Sequence, residues 1–350
     1  MMPGPSAGSP GLVYAEVAPP GPGERVRVAD GVYWIRMPLP MELDHINLWL
    51  IEHEDGLVLV DTGLATQAAR DSWEQLERGP LASVPLRLIV LTHVHPDHVG
   101  LAAWLEHRHR VPVWTSLPTD EQMRQLFAPG DADRARQREA FLQAHGLEDT
   151  APLRPNLSGA RYRSALSGLP PIASHPSDGL ETLWQGRPWC WLRTDGHASG
   201  HLCLSAPSLG VLISGDQVLP TISPNVSLSG VGSDPDPLRS YLESLERLSR
   251  LDAHTLVLPS HGRPFHGLRE RAAELSGRHE RQLSQLRAAC QEPRSAYEIL
   301  GVLFRRSLSG FHLLLAMGEA IAHLEYLSQA RRLERLTETG GRIRYRAVPD

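Results

Sequence analysis

The chain reads as a layered α/β protein, and three features say so. Strands and helices alternate along most of its length, several strands are short apolar runs of the kind buried on both faces, and several of those runs end on a histidine or an aspartate. The clearest is LRLIVLTHVHPDHVGLAAWL, Leu86 to Leu105. Leu86, Leu88, Ile89, Val90 and Leu91 suit a central parallel strand, and side chains delivered at its C-terminal end sit where open α/β sheets place their chemistry. Pro96 and Asp97 suit a helix start, which Val99 to Arg108 continue.

Taken in order, residues 1–23 are rich in Pro, Gly, Ala and Ser and are expected to form a mobile tail. RVRV, GVYWIRM and INLWLIE are β-branched and aromatic-rich, and INLWLIE with LVLVDTG predicts a hairpin with Asp55-Gly56 in the turn. Asp61 ends that second strand as a turn or cap residue or as a neighbour of the site, and a helix follows from Thr66 to Arg78. After a short strand, VPVWTS, residues 119–180 form a helical insertion, with helices over Thr119 to Phe127 and Ala132 to His145 and Asp131 capping the second. A segment of this size beside the ligand-bearing edge is a candidate substrate lid or a surface decoration.

The strands GRPWCWLRTDGH, HLCLSAPSLG and GVLISGDQVL follow, then a helix from Pro237 to Arg250 capped by Asp236, then TLVLPSHGRPF. Their ends carry His197 with His201, Asp216 and His261. Trp184, Trp189 and Trp191 read as packing, and His107 and His109 as a solvated helix end; His45, Asn47, Asn225 and His266 are open. Residues 268–350 change to helix: Leu268 to Gln291, Ser295 to Arg306 capped by Ser295, and Phe311 to Arg332, closed by a hairpin around Gly340-Gly341. This helix, helix, hairpin order resembles a winged-helix module.

The formal charge of -5 gives no global reason to expect nucleic acid or an anionic membrane. Cys190, Cys203 and Cys290 form neither a metal-type pair nor an even disulfide set, which favours a reducing compartment. MMPGPSAGSPG lacks the basic and apolar regions of a signal peptide, and no apolar run reaches the length of about 18 residues that a membrane span needs. The expectation is a cytoplasmic protein without a membrane partner. The sequence does not specify an oligomeric state.

The chemistry rests on His93, His95, Asp97, His98, His197, Asp216 and His261. Five imidazoles and two carboxylates make two adjacent sites of mixed nitrogen and oxygen donors, suited to two zinc ions and also to iron or manganese. His93, His95 and His197 are assigned to one metal, Asp97, His98 and His261 to the other, with Asp216 bridging. His-x-His-x-Asp-His at the end of a buried strand is the specific part of the pattern.

THVHPDHVG, GHASGH, SGDQV and PSHG resemble the successive metal motifs of the metallo-β-lactamase fold superfamily, and LVLVDTG resembles its preceding strand motif. The resemblance covers roughly Arg25 to Gly267, a catalytic domain of residues 24–267 followed by the 268–350 module. It implies an αββα sandwich with a dinuclear site at one edge and the same assignment of the seven ligands. His201 and Asp61 would stand beside the ligands. Asp195 occupies a place where relatives often have proline.

The resemblance implies a hydrolase whose two metals share and activate a hydroxide, with Asp97 orienting it or passing on its proton. A carboxylate at Asp216, rather than a thiolate, argues against antibiotic hydrolysis. His95 in place of a glutamate argues against the di-iron oxidoreductases. Relatives that are mononuclear iron sulfur dioxygenases carry similar motifs and are a lesser alternative.

Two substrate classes remain. One is a thioester or related small acyl substrate, as in hydroxyacylglutathione hydrolase, although no cluster of tyrosine and lysine is evident for glutathione carboxylates. The other is single-stranded RNA, as in the β-lactamase-like endoribonucleases, which carry a winged-helix-like module at this place. Arg331, Arg332, Arg335, Arg342, Arg344 and Arg346 outnumber Glu334 and Glu338 there, so the hairpin either contacts phosphates or packs on the sandwich as a solvated edge. The small acyl substrate is placed first.

Overall fold

The computed structural model describes residues 11–230, 234–305 and 307–349. Its strands in chain order are β1 (Val13–Tyr14), β2 (Val26–Ala29), β3 (Val32–Pro38), β4 (His45–His53), β5 (Gly56–Val60), β6 (Leu86–Val90), β7 (Val113–Trp114) and β8 (Ile172–Ser174). Then come β9 (Glu181–Trp184), β10 (Arg187–Thr194), β11 (His201–Ala206), β12 (Val211–Gly215), β13 (Leu256–Pro259), β14 (Phe265–His266), β15 (Leu333–Thr337) and β16 (Ile343–Ala347). They form two seven-stranded sheets, β2-β3-β4-β5-β6-β7-β8 and β1-β14-β13-β12-β11-β10-β9, and the separate hairpin β15-β16. This is the αββα sandwich expected.

Alternation along the strands separates three apolar layers. Trp34, Trp49, Val58, Val60, Leu88 and Val90 from the first sheet meet Trp189, Trp191, Leu202, Leu204, Ile213 and Leu258 from the second. Ile35, Leu48, Leu50, Leu59 and Ile89 face the other way, onto Trp73 and Leu76 of helix Gln67–Arg78 and Leu105 of helix Ala102–His109. On the far side, Leu192, Cys203, Leu212 and Val257 pack on helices Pro237–Ser249, Leu268–Ala289 and Gly310–Gln329. Strand β6, parallel to both β5 and β7, has its two faces in two of these layers, which is why its sequence is nearly all apolar.

Several local expectations shift. Within the expected tail of residues 1–23, Val13 and Tyr14 pair with His266 and Phe265, and Ala15 N donates to Pro264 O, because β14 leaves an open edge. Residues 1–10 lie outside the described residues. The hairpin turn is Glu54-Asp55, with Gly56 opening β5 opposite His53. Helix Asp131–Ala144 has Gly130 at its N-cap position rather than Asp131.

The expected helix over Ser295 to Arg306 shrinks to Leu300–Leu303. Ser295 and Glu298 do form reciprocal capping bonds, but the chain is tied down by Arg294 pairing with Tyr345 and Tyr297 N donating to His145 O, and it continues in tighter turns, Leu300 N to Tyr297 O and Val302 N to Ile299 O. Arg306 itself lies outside the described residues. Helices Leu268–Ala289 and Gly310–Gln329 and the hairpin keep the order expected of residues 268–350.

The insertion is anchored at both ends. Leu142, Leu147, Leu153 and Leu157 enter the same core as the C-terminal helices, and β8 returns to the first sheet beside β7. Among the described residues, no helix is long and apolar enough to cross a membrane.

Trp191 is fully buried between the sheets, with its indole N–H donating to Thr182 Oγ1 at 2.8 Å. Replacement by alanine leaves a large cavity there, and Trp191→Ala is expected to cost about 3–5 kcal/mol, read as a lower midpoint in guanidinium unfolding.

Candidate metal centre

All seven predicted ligands converge at one edge of the sandwich, each delivered by the end of a strand or the loop after it. β6 leads into His93, His95 and helix Pro96–Val99 with Asp97 and His98; the β10–β11 loop carries His197; Asp216 follows β12; His261 follows β13. They fall into two groups whose ligand atoms lie within 4.8 Å of one another: His93, His95, His197 and Asp216, and Asp97, His98 and His261. Asp216, set between the two metals in the sequence reading, falls here with His93, His95 and His197.

Hydrogen bonds fix which imidazole nitrogen faces the centre. His98 Nδ1–H donates to Asp61 Oδ2 at 2.8 Å, His197 Nδ1–H to Asn225 O at 2.8 Å, and His261 Nδ1–H to His45 O at 2.9 Å. Thr92 Oγ1 donates to Asp61 Oδ2 at 2.8 Å and therefore accepts from His93 Nδ1–H at 3.0 Å. Each of these four rings is left with its Nε2 facing the centre. His95 turns the other nitrogen inward, its Nδ1 lying 2.8 Å from His93 Nε2 and 3.1 Å from His197 Nε2.

The spacings fit metal ions. Donor atoms around a tetrahedral zinc ion with its usual bond lengths stand about 3.3 Å apart. His197 Nε2 lies 3.5 Å from Asp216 Oδ2, while His98 Nε2 and His261 Nε2 each lie 3.5 Å from Asp216 Oδ1. Asp97 Oδ2 is 3.4 Å from His261 Nε2 and 3.7 Å from His98 Nε2. His98 Nε2 and Asp216 Oδ1 are buried and have no hydrogen-bond partner in the protein, as befits atoms reserved for a cation. The donor set suits divalent metal ions.

Electrostatics divide the groups. Burial holds His93 well below the ordinary imidazole pKa and takes His95 down to about 3, so both stay neutral. Burial opposes charge on His98 and His261 too, but Asp61, Asp216 and Asp97 outweigh it at His98, and Asp216 and Asp97 lift His261 to about 10. Against its own burial, Asp97 is drawn down to about 2 by His98 and His261. The carboxylates thus set up a field that favours positive charge where the second ion would sit.

Asp61 and His201 stand beside the ligands in different ways. Asp61, with φ +62°, turns its carboxylate to accept from Thr92 N at 2.8 Å as well as from His98. Helix Gln67–Arg78 is capped by Thr66 instead, so Asp61 serves the site and not the helix. The close approach works because residue 100 is glycine: a Cβ there would meet Gly63 O at 2.6 Å and Ala65 N at 2.7 Å.

His201 has both nitrogens occupied. Asp216 N donates to its Nε2 at 3.1 Å, and Nδ1–H reaches Thr194 Oγ1 at 2.9 Å, so it orients Asp216 without ligating. Asp195 closes the loop that holds His197, accepting from Gly200 N at 2.7 Å.

Several contributors escape sequence reading. Thr92 is visible only as a hydroxyl residue preceding the first histidine. Asn47, left open above, is buried and donates to Pro259 O and Gly262 O, bracing the loop of His261, and His45 and Asn225 act through carbonyls that any residue could offer. Tyr162, from the insertion, donates to Val94 O at 3.0 Å between His93 and His95, and no sequence signal points to it.

The model of the metallo-beta-lactamase superfamily matches residues 41–261, and that of the metallo-beta-lactamase-like C-terminal domain matches residues 283–348. The chain belongs to the metallo-beta-lactamase superfamily and is a metallo-hydrolase. A beta-lactamase domain protein from Burkholderia ambifaria superposes with a TM-score of 0.86 at 39% identity, covering 96% of this chain and 98% of that one. The probable metallo-hydrolase YqjP of Bacillus subtilis is 26% identical over 319 residues, 85% of this chain and 92% of that one.

Weaker likenesses run to two named activities. The linear primary-alkylsulfatase of a Pseudomonas species is 27% identical over 65% of this chain and 43% of its own length. The human acyl-coenzyme A thioesterase MBLAC2 is 25% identical over 55% of this chain and 64% of its own length.

Removing the Asp61 carboxylate would leave Thr92 N without its acceptor and His98 Nδ1–H with only the Thr92 hydroxyl, 3.2 Å away. Asp61→Ala is expected to weaken metal binding at the Asp97, His98 and His261 group about 10–100-fold, measured by competition with a chromophoric chelator. Wild-type affinity would reduce Asp61 to a turn residue.

Proposed function

We propose that this protein is a dinuclear zinc hydrolase acting on a thioester or related small acyl substrate. The observation that carries it is the convergence of two donor groups on the two oxygens of Asp216, with five imidazole nitrogens facing inward. His93 Nε2, His95 Nδ1 and His197 Nε2 would hold one ion, Asp97, His98 Nε2 and His261 Nε2 the other. Nitrogen and oxygen donors without a thiolate suit zinc first, then iron or manganese. Bound there, the ions would supply Lewis acidity and a lowered pKa for water.

The protein's own part is orientation and proton handling. Asp97 is the more exposed of the two ligand carboxylates, its side chain at 21% against 10% for Asp216. It can accept a hydrogen bond from the attacking water and pass a proton toward the leaving group. Asp216, pinned by His201 through its backbone N–H, keeps the two donor groups in register.

Support for the thioester comes from the likeness to MBLAC2. RNA ranks second, because five of the six arginines of the closing segment are paired: Arg332, Arg335, Arg342, Arg344 and Arg346 with Glu280, Glu325, Glu148, Glu298 and Glu334. The free thiols of Cys190, Cys203 and Cys290 suit a reducing cytoplasm.

The deciding experiment assays the zinc-loaded full chain in parallel on acyl-coenzyme A thioesters, S-lactoylglutathione, alkyl sulfates and a labelled single-stranded RNA. Thioester cleavage should dominate, and Asp97→Asn should lower its kcat at least about 100-fold. Faster turnover of the sulfate ester or the RNA would overturn the assignment.

A further inference from the structure

Loop 216–228 starts at Asp216 and ends on helix Gly310–Gln329, and both halves of it are held by the C-terminal module. In the first half, Arg271 of helix Leu268–Ala289, only 4% exposed, donates from Nε to Leu219 O at 2.7 Å and from Nη2 to Ile222 O at 2.8 Å. In the second half, Leu228 N donates to Gly318 O at 3.0 Å, and Asn225 Nδ2 reaches Glu319 Oε2 at 3.5 Å. The Ser227 hydroxyl bridges Asn225 Oδ1 and the Leu315 carbonyl, 3.3 Å away.

Contact with the helix is close enough to require glycine at residue 318, where a Cβ would meet Ser227 Cβ and Oγ at 2.8 Å. Between these anchors, the Asn225 carbonyl accepts the Nδ1–H of His197. The ring therefore takes its orientation from a carbonyl whose place is set by a helix about 90 residues further along the chain.

We propose that the C-terminal module is a positioning element of the metal centre, with Ser227, Gly318 and Glu319 holding the Asn225 carbonyl that aims His197. This rests on the reading of His197 as a ligand of one ion. A shift of the loop turns the imidazole and weakens the His93, His95 and His197 group selectively, while His98 and His261, held by Asp61 and the His45 carbonyl, keep their aim. Residues 283–348 thereby serve catalysis without touching substrate.

Cobalt titration of the metal-free full chain tests this, because tetrahedral and higher-coordinate cobalt absorb differently and the two groups can be followed apart. Ser227→Ala removes one oxygen, Glu319→Leu the carboxylate, and Gly318→Ala pushes the loop off the helix; thermal melting of each metal-free variant is the control. Each should lower cobalt affinity at the His197 group about 10–100-fold and leave the other group within a factor of two or so.

Wild-type affinity at both groups in Ser227→Ala and Glu319→Leu would overturn the proposal, as would equal losses at both groups that track lowered melting temperature. A wild-type chain that binds no cobalt would instead sink the metal assignment itself, and this inference with it. Where the wild type does bind, His197→Ala should lose only the ion of its own group, which identifies that group's signal.

Discussion

Asp216 is the point on which the rest of the site depends. Its Oδ2 faces His197 and its Oδ1 faces His98 and His261, all at 3.5 Å, so one carboxylate joins donors from both sheets. Burying a carboxylate among imidazoles is expensive unless cations or donors surround it. The fold meets that condition by geometry: β6 of the first sheet and β12 and β13 of the second end at the same edge. Gly215, at φ +51°, has its Cα so close to His201 that a Cβ would meet Nε2 at 2.4 Å, which lets that ring hold the Asp216 backbone from beneath.

The neighbours of the ligands explain why the centre is preorganised. Four imidazoles have Nδ1–H committed to an oxygen, and three of those acceptors come from distant segments: Asp61, the Asn225 carbonyl and the His45 carbonyl. Rings held this way lose little freedom when an ion binds, and their inward nitrogens already converge. The C-terminal module joins the same logic, since its helices share a core with the second sheet and clamp the loop beyond Asp216.

Much of this was legible in the sequence because the decisive signals are local. A strand that ends on THVHPDH places four donors within six residues, and the apolar runs before Asp216 and His261 repeat the pattern. What stayed hidden depends on tertiary pairing. The Val13–Tyr14 strand exists because β14 has a free edge, and the stretch before Leu300 is held in turns by the ties of Arg294 to Tyr345 and of Tyr297 to His145. Backbone acceptors such as the Asn225 carbonyl carry no residue signature, and Tyr162 reaches Val94 only once the insertion is folded. The arginines of the closing segment read as a basic strip in sequence, yet the partners of Arg332, Arg335 and Arg342 are Glu280 and Glu325 on helices and Glu148 in the insertion.

Anomalous diffraction at the zinc edge from crystals of the zinc-loaded protein tests the central claim most directly. Two peaks about 3.5–4 Å apart are expected, one beside His93 Nε2, His95 Nδ1 and His197 Nε2, the other beside Asp97, His98 Nε2 and His261 Nε2, with Asp216 next to both. A single peak, or peaks away from Asp216, would contradict it.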